Sequence, residues 1–170
     1  MATATLIPVE HYLGSSYHPD CDFLDGELLE RNRGERNAER SHARLQMKIA
    51  AWLFSDERRF HVCALPEVRV RITPNRVRIP DIALISDSAP FEQVVVTAPV
   101  LCIEVLSPCD TLTGISDRIE DYLSLGVPVC WVVDPESGSA WTATASGLTR
   151  VTDGILRAGE ISMPLADVLD

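Results

Sequence analysis

The sequence predicts an α/β fold, a mixed β-sheet flanked by helices, and three features carry that expectation. The runs Val100–Leu106 and Val129–Val133 are apolar on both faces except at Glu104, the pattern of strands covered from both sides. Between them, residues 113–125 set Ile115, Ile119, Tyr122 and Leu123 at helical spacing, so strand, helix and strand make a right-handed parallel crossover. Upstream, Val68, Val70 and Ile72 alternate with Glu67, Arg69 and Arg71, as in a half-buried strand.

The elements follow in order. Residues 1–20 show no periodicity and read as irregular. Asp25-Gly26 marks a hairpin turn leading into a short strand that ends near Glu30. Asn37 is a candidate cap for a helix running to about Ser55, with Leu45, Ile49, Trp52 and Leu53 on one stripe and His42 in line with it. Val62 to Ala64 is a short strand candidate. Pro74-Asn75 turns the chain after the 68–72 strand, and Val77 to Ile85 reads as one continuous strand returning beside it. Gly126 and Pro128 end the second helix. Residues 141–145 and 148–151, joined at Ser146-Gly147, form a closing hairpin. With no repeat, linker or low-complexity tract, residues 1–170 read as one domain.

Composition narrows the function classes. A chain with 46% hydrophobic residues and 24% charged residues has the means to bury a core and is not intrinsically disordered. Five cysteines without a CxxC pair offer neither a disulfide framework nor a metal knuckle, and nothing beside Cys109 would activate it as a nucleophile. The start lacks the basic and apolar regions of a secretory signal, and no apolar run exceeds seven residues, so the expectation is a reduced, cytoplasmic protein outside the membrane. The net charge of −10 opposes coating of nucleic acid through bulk charge but leaves room for a local basic cleft. Charge is also uneven: residues 31–50 carry a net +4 and residues 101–170 a net −8. Arg36, Arg40, Arg44, Arg69 and Arg71 are the candidates for gripping backbone phosphates, with a solvated helix start as the plainer reading of the first three.

Two carboxylates stand where structure alone does not call for them. Glu104 interrupts a central strand, and Asp81 follows Pro80 inside the 77–85 run. Burying an ionised carboxylate without a partner is expensive, so each is expected to be paired, protonated or bound to a metal. An all-carboxylate pair suits Mg²⁺, or Mn²⁺, which would lower the pKa of a bound water and stabilise charge on a phosphoryl oxygen.

Pro80-Asp81, then Ile103-Glu104-Val105-Leu106-Ser107-Pro108, then Asp121-Tyr122-Leu123 with Gly126-Val127, then Trp131-Val132-Val133-Asp134-Pro135 together resemble the Uma-type restriction endonuclease family of the PD-(D/E)XK superfamily. Asp25-Gly26-Glu27-Leu28 and His42 match its pattern as well, and the resemblance spans about Asp22 to Leu169. It implies a restriction-endonuclease-like fold, an αβββαβ core with a C-terminal hairpin, and an endonuclease that hydrolyses DNA phosphodiester bonds. Asp81 and Glu104 then match the metal ligands, with the Val105 carbonyl as a further oxygen and Glu27 or Glu30 completing the shell. The superfamily's lysine two residues after the glutamate is here Leu106. In Uma-type proteins a lysine on the next helix, ahead of the tyrosine, replaces it, and here that position is Arg118.

Arg118 has two readings. It steadies charge on the phosphate, since a guanidinium binds phosphate bidentately but is no general base, or it is a buried counter-ion of Glu104 or Asp81. His42 likewise either orients the water and phosphate or is a hydrogen-bonded core residue. The competing functional classes are a catalytically degenerate scaffold for assembly or nucleic-acid binding, and a hydrolase of smaller phosphate esters. A homodimer is expected, because two-fold enzymes cut both strands most simply.

Overall fold

A computed structural model describes residues 6–30 and 38–169. The chain begins with helix α1 (Val9–Leu13), the hairpin β1 (Cys21–Leu24) and β2 (Glu27–Glu30), the long helix α2 (Ala38–Ser55) and the single turn α3 (Glu57–Phe60). Strands β3 (Val62–Pro66), β4 (Val70–Thr73), β5 (Arg76–Arg78), β6 (Ile82–Ser86) and β7 (Leu101–Val105) precede helix α4 (Leu112–Leu125). Strands β8 (Cys130–Val133), β9 (Ala140–Thr144), β10 (Gly147–Arg150), β11 (Ile155–Ala158) and β12 (Ile161–Pro164) follow, with a 3-10 turn at Leu165–Asp167. The predicted cap Asn37 lies outside the described residues.

The mixed sheet has six strands in the order β10-β9-β8-β7-β6-β3, and β7 pairs in parallel with β8 across the α4 crossover. All of β7 is buried, because it is covered on both faces. Leu101, Ile103 and Val105 pack with Leu45, Ile49 and Leu53 of α2, while Cys102 packs with Ile115, Ile119 and Tyr122 of α4. The strand's period of two thus sends alternate residues into two separate apolar layers. Glu104 falls on the α4 side.

Four elements differ from the sequence expectation. The predicted strand Val77–Ile85 is two strands in two sheets. β5 pairs with β1 and β4 in a four-stranded sheet of order β2-β1-β5-β4, whereas β6 pairs with β3 and β7. Pro80, which has no N–H to donate, breaks the ladder between them, and the carbonyl of Asp81 accepts from the Glu67 N–H (3.2 Å) in the bend. The first 20 residues are not wholly irregular, since α1 buries Val9 and Tyr12 against Phe23 and Val77. Beyond residue 151, the hairpin β11–β12 closes the α2 layer with Leu156, Ala158, Ile161 and Met163. The short candidate at Val62–Ala64 is a full strand, β3, paired along β6. No helix among the described residues is long and apolar enough to cross a membrane.

Helix α4 has well-defined ends. Thr111 is extended and its side-chain oxygen accepts the Gly114 N–H at 3.0 Å, while Gly126 closes the helix in the left-handed region at φ 106°, where a Cβ would be strained. Thr111→Ala is expected to destabilise the protein by about 1 kcal/mol, read from the midpoint of urea unfolding.

Candidate active site

Asp81 and Glu104 meet where β6 and β7 pair. Ile82 faces Ile103 in the antiparallel register, and one further step sets Asp81 opposite Glu104. Both are buried, each about 1% exposed. Because Asp81 lies in the bend after Pro80 rather than in a strand, its side chain is released from strand alternation. Its Oδ2 accepts the Val105 N–H at 2.7 Å and lies 3.2 Å from His42 Nε2. His42 comes from α2, and Gln46, one turn further along, donates from Nε2 to the Asp81 carbonyl at 3.0 Å. Residues i and i+4 share a helix face, so α2 holds Asp81 at both its carboxylate and its backbone.

Glu104 is held from the other layer. Tyr122 of α4 donates its hydroxyl to Glu104 Oε1 at 2.6 Å. Arg118, one turn earlier on the same face, places Nε 3.3 Å from Glu104 Oε2, an ion pair whose geometry falls short of a hydrogen bond. The short contact of this guanidinium goes elsewhere: an Nη2 hydrogen donates to Asp110 Oδ1 at 2.6 Å. Burial works against the charge on Arg118, yet Glu104 and Asp110 together raise its pKa above the ordinary guanidinium range. It is a fixed cation at any physiological pH. Asp110 is itself pinned, its Oδ2 accepting the Ser107 N–H at 2.8 Å and the Ser107 hydroxyl at 3.0 Å.

Asp81, Glu104, His42 and Arg118, all singled out in the sequence, therefore converge. Other candidates do not join them. Glu27 and Glu30 are exposed on β2, and among the described residues no group of three His, Cys, Asp or Glu side chains is arranged to hold a metal. Arg69 is committed to structure: it forms a forked pair with Asp20 (2.7 and 2.8 Å), donates to the carbonyls of Tyr12 and Ser15, and stacks over the Tyr12 ring. Arg71 is half-buried and donates to the Pro74 carbonyl. Arg36 lies outside the described residues. Arg40 and Arg44 are exposed on α2, and Arg44 lines a cavity of about 300 Å³ with Ser41, Lys48 and Glu136.

Two buried carboxylates, Asp81 and Glu104, offer oxygen donors alone, which suits a small hard cation that keeps several waters. The residues fit such an ion, with Arg118 as a resident competitor for Glu104.

Sequence reasoning missed a second charged cluster. Arg78 of β5 is 5% exposed and donates to Asp22 of β1 (2.9 Å) and to Asp121 of α4 (2.6 Å), while Arg76 reaches the other oxygen of Asp121 at 2.8 Å. Asp22 also accepts the Ile79 N–H. This cluster ties the four-stranded sheet to the helix that carries Arg118 and Tyr122. Its only signal in the sequence was an arginine in an otherwise apolar stretch, Val77–Ile79.

The family model Uma2, described as "Putative restriction endonuclease", matches residues 10–164. Among solved structures, "a putative nuclease belonging to DUF820" from Anabaena variabilis superposes with a TM-score of 0.77 at 17% identity, covering 95% of this chain and 97% of that one. That likeness establishes the fold. A DrdV–DNA complex aligns with 70% of this chain and 10% of its own at a TM-score of 0.44 and 21% identity. No curated protein matches the sequence.

Proposed function

Because the chain belongs to the Uma2 family, we propose that it is a Mg²⁺- or Mn²⁺-dependent endonuclease that hydrolyses DNA phosphodiester bonds at the Asp81–Glu104 pair. The observation that carries this reading is the convergence of two buried carboxylates, one from β7 and one from the bend before β6, with one histidine and one fixed cation. Asp81, Glu104 and the Val105 carbonyl would hold the divalent ion, which supplies Lewis acidity and charge neutralisation at the scissile phosphate. The chain's other residues do the positioning. Gln46 and His42 fix Asp81, and Tyr122 fixes Glu104. Arg118 stabilises negative charge developing on the phosphate and, being always protonated, is not the base. Arg40 and Arg44, on the exposed face of α2, are the best-placed candidates for flanking phosphates. A two-fold homodimer would let two such sites cut both strands.

Full-length protein incubated with supercoiled plasmid is expected to nick it with Mg²⁺ or Mn²⁺, and not in EDTA or as the identically purified Asp81→Ala variant. Equal nicking by both proteins, or none from either under both metals, would refute the proposal. One observation favours a second reading, a non-catalytic nucleic-acid-binding or assembly module: a resident cation, Arg118, already stands 3.3 Å from Glu104. That reading predicts neither nicking nor any rise in melting temperature on adding the cation.

A further inference from the structure

The hold on Arg118 is unequal. Its hydrogen-bonded contact is to Asp110 at 2.6 Å, and its contact with Glu104 is a longer Coulombic one at 3.3 Å. Asp110 has little freedom to move, because it is gripped twice by Ser107, which follows β7 within two residues of Val105. The joint between β7 and α4 thus carries a short relay, Ser107 to Asp110 to Arg118, ending beside the carboxylate pair. A guanidinium released from Asp110 would have Glu104 as its nearest remaining anion, and a cation in full hydrogen-bonded contact with that carboxylate competes with any other cation for it.

We propose that Asp110, braced by Ser107, is a positioning residue that holds Arg118 off Glu104 and thereby sets how tightly the carboxylate pair binds a divalent cation. The inference rests on the cation-dependent reading above and deepens it. It makes Arg118 an internal counter-ion restrained from closing on Glu104.

The test is the affinity for Mn²⁺ alone, measured by isothermal titration on the full chain without nucleic acid. Arg118→Gln is expected to tighten binding about tenfold and Asp110→Asn to weaken it about fivefold, both within the range of couplings between contacting residues. Those signs alone would also follow from adding or removing charge, so the decisive comparison is the double variant. In the Arg118→Gln background, Asp110→Asn is expected to change the affinity less than about twofold, because Asp110 acts through Arg118. Ser107→Ala, which changes no charge, is expected to weaken binding in the same direction as Asp110→Asn. An equal loss from Asp110→Asn in both backgrounds would overturn the relay, as would unchanged affinity in Asp110→Asn and Ser107→Ala while wild type binds. No Mn²⁺ binding by wild type or by Arg118→Gln would overturn the cation-dependent reading, and this inference with it.

Discussion

Glu104→Gln is expected to lower metal-dependent plasmid nicking by about 10³-fold, the scale set by removing one electrostatic or acid–base group from a site, while the protein still folds. The amide keeps the shape of the side chain and an oxygen for the Tyr122 hydroxyl, so the packing of α4 on β7 persists. Arg118 loses one of its two carboxylates but keeps the short bond to Asp110, so it is not stranded. The destabilisation is therefore expected near 1 kcal/mol, well below the cost of leaving a buried charge alone. Nicking assays and urea unfolding on the same preparation separate the two effects. Loss of folding in Glu104→Gln would mean that the pair with Arg118 is a structural requirement first. Full retention of nicking would remove Glu104 from the chemistry.

Arg78→Ala is expected to destabilise the protein by about 3–5 kcal/mol, because it strips the cation from two buried carboxylates at once. Against a total stability of roughly 5–15 kcal/mol, that is a large fraction. Burial disfavours the Arg78 charge, but Asp22 and Asp121 more than offset this and raise its pKa, so the guanidinium stays charged across the physiological pH range. Arg76 still reaches Asp121 in the variant and the Ile79 N–H still reaches Asp22, which keeps the expected loss from exceeding that range. A shift in the urea midpoint at constant slope would measure it. A loss below about 1 kcal/mol would show that water takes over the guanidinium's bonds.

Sequence reading was strongest where a charge stands in an apolar run and weakest where charges meet across long separations. Glu104 announced itself because every neighbour from Val100 to Leu106 is apolar, and its burial follows from coverage by α2 and α4. Asp81 was found, but inside one continuous strand, whereas the chain leaves one sheet at Arg78 and enters the next at Ile82, with Pro80 and Asp81 in the bend between them. The missing N–H of proline was the available signal. Arg78 was not singled out, because one arginine in the Val77–Ile85 run does not say what it pairs with. Its carboxylate partners lie 43 and 56 residues away, a distance over which periodicity is silent. The pairing of Asp110 with Arg118 was equally silent, because it joins a loop to the second turn of a helix. The final hairpin hid in short segments, although Leu156 and Ala158 alternate across Gly159-Glu160 with Ile161 and Met163.

The split of β7 between two apolar layers has a consequence for when the site exists. Asp81 takes its partners from α2, and Glu104 takes its partners from α4. Each layer on its own positions half of the pair. A chain in which one layer has closed and the other has not contains every residue of the site but not the site itself. Under the proposed function, cleavage would require both layers to have closed, and a copy with only one of them closed is expected not to nick DNA.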